Sequence, residues 1–489
     1  MHENLDSKVA KAAKWSVLAE VFARITPPIV NMILARLLLP EAFGIVASIT
    51  IITSFADIFT DAGFQKYIIQ HEYRNEAELK TSLDVAFTSN LIVSIITYIA
   101  IFAFSESLAK LIGCPDESKG IIVASLSVIC TAFSSILLAR FKRDLDFKSV
   151  FYIRICSAIV PLLVTVPIAF LVRSYWAVVI GTLCQQAFIA IFALFISDWK
   201  PHFLINIEVF KSMLSFSLWN LCETLSIWFA AQASVFIVAN ILNPYYLGLY
   251  KTATATINSY MAIITASITP VLFSALSRYQ NDEKAFQSTF FRFQSVLALL
   301  VMPMGAGVFM YRDLVLAILL GKKWVEATTL LGLWALVSSI TIVFSNTACE
   351  VYRSKGKPKI SFFLQMIYLV FFVPSIYLGA KASFVTLVYI SCGIRLLPVI
   401  FDQFVLNYLF KIPIKDIISN SVWPSIASII MSIFAFVMKA FSTNVVWELF
   451  SIFLCIILYF LIIITNRHYR ELVFSLPMIK KIENMIIKR

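Results

Sequence analysis

Charged side chains are scarce in this chain: Asp, Glu, Lys and Arg make up 14% of its 489 residues. A water-soluble globule carries about 25%, so that class is excluded. The four histidines, His2, His71, His202 and His468, all fall outside the predicted membrane segments, in stretches expected in the cytoplasm, which excludes a histidine proton relay inside a bilayer. The eight cysteines are scattered, mostly inside predicted helices (Cys130, Cys156, Cys184, Cys222, Cys392). Without paired spacing they exclude a disulfide frame and a metal site, and free thiols are expected. No polar stretch is long enough for a soluble domain, and no residue is singled out as catalytic or as holding a cofactor. The basic start runs straight into a full-length apolar segment, with no short apolar core and small-residue cleavage site, so no cleavable signal is expected.

What remains is overwhelmingly apolar, 60% of the chain. A spanning helix needs about 20 apolar residues, and about fourteen such segments fit, from 15–39 and 43–60 through to 446–465. The seventh, 214–242, and the eighth, 246–273, are long enough to tilt, kink or leave the membrane.

Two stretches 204 positions apart carry one signature: Trp15, Ala35, Pro40 and Gly44, then Trp219, Ala239, Pro244 and Gly248. Each lies where one apolar segment turns into the next, a corner at which Pro and Gly have a physical reason to recur. Six spans separate the copies, and an even number preserves orientation. The expected fold class is therefore an all-α polytopic membrane protein with two parallel six-helix lobes, 1–204 and 205–410, then two C-terminal helices, 411–466. The basic tail, 467–489, alternates apolar runs with Lys and reads as a surface helix.

Orientation follows from Lys and Arg, which accumulate in cytoplasmic loops. One set of connections holds Lys8, Lys11 and Lys14, then Arg140, Lys142, Arg143 and Lys148, then Arg353, Lys355, Lys357 and Lys359. The alternate set is sparse. Both termini are expected in the cytoplasm. The net charge of +12 follows from this asymmetry; it implies contact with anionic lipid headgroups and needs no nucleic-acid partner.

An ionisable group at the bilayer centre costs at least about 2.5–3.5 kcal/mol on insertion scales, so it needs a partner or a wet cavity. Glu20 and Arg24 sit four apart on one face of the first helix, followed by Pro27-Pro28. They read either as a self-neutralising pair or as a substrate contact in which Arg24 meets an anionic group. The position 204 residues beyond Arg24 is Trp228, so the cation belongs to one lobe. Glu223 reads either as an ion-coupling group for H⁺ or Na⁺ or as a protonated, hydrogen-bonded carboxyl. Arg395 reads either as a phosphate ligand or as a donor to a carbonyl freed by Pro398. Asp57 and Asp61, near the end of the second span, read as interfacial groups or as ion-coupling groups of the pathway.

At these residues the chain resembles a known family, the Wzx-like oligosaccharide flippases of the multidrug/oligosaccharidyl-lipid/polysaccharide superfamily, in the lipopolysaccharide and colanic-acid exporter branch. The resemblance covers nearly the whole length. It is carried by Leu34-Ala35-Arg36-Leu37-Leu38-Leu39-Pro40-Glu41-Ala42-Phe43-Gly44, Asp61-Ala62-Gly63-Phe64, Ala139-Arg140-Phe141-Lys142-Arg143-Asp144-Leu145-Asp146-Phe147, Ala275-Leu276-Ser277-Arg278-Tyr279-Gln280 and Leu320-Gly321-Lys322-Lys323-Trp324. It implies fourteen helices, alternating access, and a location in the bacterial inner membrane. The implied substrate is a polyprenyl-diphosphate-linked oligosaccharide, moved from the cytoplasmic to the outer leaflet for O-antigen, capsule or exopolysaccharide synthesis. Arg24, Arg395 and Glu20 become the substrate-binding candidates. The family usually has an Asp in the seventh helix, where this chain has Ser234, which puts ion coupling by that residue in doubt.

Three other functions compete with this one. A membrane glycosyltransferase would use Asp144-Leu145-Asp146 as a metal and nucleotide-sugar motif, but the surrounding loop has no room for a nucleotide-binding domain. A polymerase or ligase would need a sizeable outer loop. A cation-coupled multidrug exporter of the same superfamily shares the architecture but needs no phosphate-binding Arg. Association with polysaccharide polymerase machinery is left open. The stretches 108–113 and 314–321 read as amphipathic segments on the outer interface, serving as lids or anchors.

Overall fold

The computed structural model describes Trp15 and residues 26–61, 64–442 and 444–475. Among these, eleven helices are long and apolar enough to cross a membrane, or twelve if the bent helix Pro244–Arg278 is one span. Residues 26–37 and Ile207–Ile241, with its shorter apolar part Ile227–Ile241, are helical too, and the total is consistent with about fourteen membrane helices. The chain is an all-α, multi-pass membrane protein. Packing divides it into two compact units, Met1–Thr252 and Ala253–Arg489.

The N-terminal unit contains α1 (26–37), α2 (Pro40–Asp61), α3 (Phe64–Gln70), α4 (Glu76–Ala103), α5 (Ser105–Leu111), α6 (Ser118–Arg143), α7 (Phe147–Val160), α8 (Val166–Val172), α9 (Trp176–Ile196) and α10 (Ile207–Ile241). Helix α6 lies at its centre, packed on α2, α3, α4 and α9. Its buried face is built of small residues, among them Ala124, Ser127, Ala132, Ser134 and Ala139, which lets neighbouring backbones approach closely. Phe64, Ile68, Leu83, Ile136 and Ile153 fill the adjoining core. Because α10 packs on α2, α3 and α4, the packing border falls beyond the 204/205 boundary expected from the sequence repeat.

The helix α11 (Pro244–Arg278) runs across the packing border. The C-terminal unit continues with α12 (Glu283–Met310), α13 (Arg312–Leu319), α14 (Thr328–Thr341), α15 (Thr347–Ser354), α16 (Pro358–Ala382), α17 (Phe384–Ile394), α18 (Leu397–Leu409), α19 (Ile414–Phe441), α20 (Val445–Thr465) and α21 (Arg467–Ser475). Helix α12 is central here, packed on α14 and α19. The expected amphipathic segments after the third span of each repeat are the short helices α5 and α13.

Proline explains most interruptions. It has no N–H, and its ring clashes with the carbonyl four residues back. Around Pro270 the eighth span bends by 42°, which selects a kink among the alternatives open for that segment. Pro161 opens a wide π turn, Pro161–Thr165, between α7 and α8. Pro398, in the first turn of α18, separates α17 from α18, so the expected unbroken twelfth span is two helices.

At Pro161, and at Pro303 and Pro424 inside α12 and α19, another helix supplies a donor to the carbonyl that proline leaves unpaired. Gln185 Nε2 donates to Ser157 O at 3.1 Å, four residues before Pro161. The Tyr459 hydroxyl donates to Leu299 O at 2.8 Å, four before Pro303. The Tyr469 hydroxyl donates to Asn420 O, four before Pro424. In a medium without water each orphan carbonyl would be costly, so these side chains fix helix pairs in register.

Candidate functional site

Polar side chains in the N-terminal unit converge on two cavities. The first, about 400 Å³, is lined by Ser54 and Asp57 of α2, Gln65 and Lys66 of α3, Ser134 of α6 and Gln186 of α9. Its wall is braced by hydrogen bonds: Lys142 Nζ donates to Gln65 Oε1 at 2.9 Å, Gln65 Nε2 to Ser135 O at 3.2 Å, and Trp228 Nε1 to Ser54 Oγ at 2.9 Å. Trp228, the position equivalent to Arg24 in the repeat, thus serves this wall. Asp57 is half-buried and Lys66 exposed. The second cavity, about 310 Å³, lies among α1, α7 and α9 and is lined by Thr26, Asn31, Arg154, Ser157, Thr182 and Gln185. Together the two offer hydroxyl and amide groups with one carboxylate and two cations, a surface suited to sugar hydroxyls and to phosphate oxygens.

Sequence reasoning misses both cations. Arg154 carries the signal used for Arg395, a charge inside an apolar segment. Lys66 carries none, because it follows Phe64-Gln65 in a seven-residue helix between spans.

Of the residues singled out from the sequence, Glu20 and Arg24 lie outside the described residues, as do the side chains of Asp61 and Glu223. Asp57 lines the first cavity. Arg395 belongs to the C-terminal unit, where it caps α17. Its guanidinium lies 4.0 Å over the Trp334 ring and its Nη1 donates to Ser338 Oγ at 3.1 Å. Trp334 Nε1 in turn donates to Asn258 Oδ1 at 3.0 Å, which holds the ring for the cation.

Four other buried acids are satisfied within the protein. Asp402 accepts from the Ser345 hydroxyl and from the Tyr352 hydroxyl, the latter at 2.9 Å, joining α18 to the wide turn Ile342–Asn346 and α15. Asp84 Oδ1 accepts from Trp199 Nε1 and from the His202 backbone N–H, both at 3.1 Å. Glu350 pairs with Arg353 at 3.0 Å, and Glu448 with Lys439 at 3.7 Å.

The carboxylates of Asp144-Leu145-Asp146 are engaged within the protein. Asp144 pairs with Arg140 Nε at 2.7 Å, and Asp146 caps α7 by accepting from the Ser149 backbone N–H at 3.2 Å. Burial raises the Asp144 carboxyl above the usual range, outweighing the opposing pull of Arg140. The neighbouring Arg143 stacks 4.6 Å over Tyr73 and donates to Ile68 O and His71 O at 2.6 and 2.7 Å, pinning the connection after α3. Burial pushes the Tyr73 hydroxyl up to about 12.

In the C-terminal unit an apolar groove of about 420 Å³ runs between α12, α19 and α20, lined by Leu299, Pro303, Met431, Ile456 and Phe460. It suits a hydrocarbon chain and nothing polar.

Three likenesses bear on the class of protein. The lipopolysaccharide biosynthesis protein WzxC of Escherichia coli is 22% identical over 382 residues, 78% of this chain and 77% of that protein. The succinoglycan biosynthesis transport protein ExoT of Rhizobium meliloti is 22% identical over 442 residues, 89% of this chain and 88% of that protein. Among solved structures, the lipid II flippase MurJ in its inward closed conformation matches with a TM-score of 0.76 at 16% identity, over 94% of this chain and 99% of that chain, so the fold is shared. The resemblance to oligosaccharide flippases read from the sequence agrees with these names, and they are names of transporters and biosynthesis proteins, not of glycosyltransferases. A family described as polysaccharide biosynthesis protein matches residues 33–329, a stretch that holds the Pro40 and Pro244 corners and Asp57, Lys66 and Arg154. With more than half of its length matched, the chain belongs to the polysaccharide biosynthesis protein family.

Proposed function

We propose that this protein is a flippase for a polyprenyl-diphosphate-linked oligosaccharide, working by alternating access. The observation that carries the reading is the pair of polar, cation-bearing cavities inside an otherwise apolar helical unit. A diphosphate needs cations in a wet cavity, sugars need hydroxyl and amide partners, and a polyprenyl tail needs an apolar path, for which the groove along α12, α19 and α20 is suited.

In this reading Arg24 binds the diphosphate and Glu20 orients it, with Arg395 as a second phosphate ligand. Glu223, Asp57 and Asp61 are the candidates for ion coupling. The protein acts in the bacterial inner membrane with both termini in the cytoplasm, and it hands its cargo to polysaccharide polymerase machinery on the outer side.

The test is the leaflet distribution of lipid-linked oligosaccharide in cells lacking the gene, read with a membrane-impermeant probe. Accumulation on the cytoplasmic leaflet, reversed by restoring the gene, supports the reading. Normal outer-leaflet levels in cells shown to have no second flippase would overturn it in favour of small-molecule export, which dye efflux would then reveal.

A further inference from the structure

Of the four buried acids described above, one differs from the rest in its partners. Asp84 Oδ1 accepts from the Trp199 indole N–H and the His202 backbone N–H, while Glu350 faces Arg353 and Glu448 faces Lys439. An N–H can only donate and the two cations keep their charge, so the partners of these three acids suit a carboxylate. Asp402 is 3% exposed and receives hydroxyls alone, Ser345 on Oδ2 and Tyr352 on Oδ1. No Lys, Arg or His among the described residues lies within ion-pair distance of it. A carboxylate in a low-dielectric interior without a cation is costly, whereas the neutral acid is not.

The hydrogen bonds at this acid can reverse. The Tyr352 hydroxyl has two acceptors on one residue, Asp402 Oδ1 at 2.9 Å and the Asp402 main-chain O at 3.4 Å. A hydroxyl rotates its hydrogen and also accepts. With Asp402 ionised, Tyr352 donates to Oδ1. With Asp402 protonated, the acid proton on Oδ1 is donated to Tyr352 Oη, whose own hydrogen turns to the main-chain O. Both forms are hydrogen-bonded, and only the neutral one fits an interior without a cation. The elements packed on α18 are α14, α15, α16, α19 and the wide turn Ile342–Asn346. The Cys349 thiol and Tyr352 hydroxyl face Asp402 from α15, where Glu350 and Arg353 pair with each other. Neither α14 nor the turn contains an ionisable residue, and α18 has no other charged one. Lys359 and Lys381 of α16 and Lys415, Asp416 and Lys439 of α19 make no ion pair or hydrogen bond with Asp402.

Ser345 links the acid to the backbone. Its neighbours Ser339, Thr341 and Thr347 give their hydroxyl hydrogens to carbonyls three or four residues back in their own helices, whereas Ser345 gives its hydrogen to Asp402. The next residue of α18, Gln403, donates Nε2 to Phe344 O at 3.0 Å. Two successive residues of α18 therefore hold the wide turn, a kind of turn that recurs at functional sites. We propose that Asp402, with Ser345 and Tyr352, is a proton-binding site that latches α18 to the turn Ile342–Asn346. The neutral carboxyl keeps the latch closed, and release of the proton to water leaves a buried charge that drives α18 off the turn.

The first measurement is infrared difference spectroscopy of the purified full-length chain in detergent, wild type against Asp402→Asn, between about pH 5 and pH 8. The carbonyl stretch of a protonated carboxyl is expected in the wild type, absent from Asp402→Asn, displaced in Tyr352→Phe, and fading as pH rises. The second is hydrogen exchange of 342–352 and Leu397–Leu409, corrected for the intrinsic effect of pH. Exchange is expected to quicken with pH in the wild type, by at most about tenfold per pH unit for one proton, and to stay flat in Asp402→Asn. The amide has the shape of the neutral acid, so Asp402→Asn is expected to melt near the wild-type temperature and Asp402→Ala well below it. Absence of the carboxyl band throughout, pH-dependent exchange shared by wild type and Asp402→Asn, or an Asp402→Asn protein as unstable as Asp402→Ala would each overturn the proposal. Transport enters neither measurement, so the outcome is separate from that of the flippase reading.

Discussion

Gly44 and Gly248 pack backbone against backbone: a Cβ on Gly44 would lie 1.7 Å from Pro244 O, and a Cβ on Gly248 would lie 1.8 Å from Pro40 O. The two copies of the repeated signature thus meet, each glycine seated on the proline of the other. Pro40 and Pro244 each begin a helix, a position where the missing N–H is harmless.

Gly44→Ala and Gly248→Ala are therefore expected to be damaging alike, since neither carbonyl is the tip of a flexible side chain. Overpacking of this kind destabilises by about 1–3 kcal/mol. Thermal unfolding of the purified variants in detergent measures it. Melting at the wild-type temperature for both would mean that this contact is not held in solution.

The bond from Tyr459 to Leu299 O compensates for Pro303. Tyr459→Phe should leave a buried carbonyl unpaired, at about 1–3 kcal/mol. In a Pro303→Ala background the helix regains its own N–H donor, so there the same change should be much milder. A double-mutant cycle on unfolding free energies reads the coupling. Equal losses in both backgrounds would refute the account.

The stack of Arg395 on Trp334 is expected to couple the two residues by about 0.5–2 kcal/mol. Trp334→Leu and Arg395→Gln should then be less than additive in stability. If Arg395 also meets phosphate, as proposed, Arg395→Gln lowers export beyond what Trp334→Leu does, and Arg395→Lys restores part of it. Identical export in the two single variants would reduce Arg395 to a packing element.

Asp146→Ala removes a helix cap and is expected to destabilise by about 0.5–2 kcal/mol. Transport per folded molecule should stay at the wild-type level, with no change in its response to divalent-metal chelation. Loss of transport in a fully folded, normally expressed Asp146→Ala protein would revive a metal-binding role for this loop.

Much of this architecture is legible from local pattern. Apolar length marks the spans; it leaves the bend before Pro270 open among tilt, kink and exit, and it runs unbroken through Pro398, where the structure divides the span. The wide turn Ile342–Asn346 contains no proline, so nothing local announces it. Buried acids are harder still. Asp402 lies near the end of its expected span and looks interfacial until Ser345 and Tyr352, more than forty residues earlier, are seen to hold it. Asp84 and Glu448 are hidden for the same reason, through partners on other elements. Lys66 and Asp57 line one cavity together with Gln65, which ties α3 to α6, a contact with no trace in either segment alone.

The clasp at Asp84 has a bearing on assembly. Domain swapping, the exchange of an identical element between two copies of a chain, turns on a pliable hinge. Here the stretch between α9 and α10 is held against α4 by Trp199 Nε1 and His202 N on Asp84, and by Leu204 N on Thr88 Oγ1 at 3.0 Å. Opening it to swap would strip several donors from buried acceptors at once, so this connection is a poor hinge for exchange between molecules.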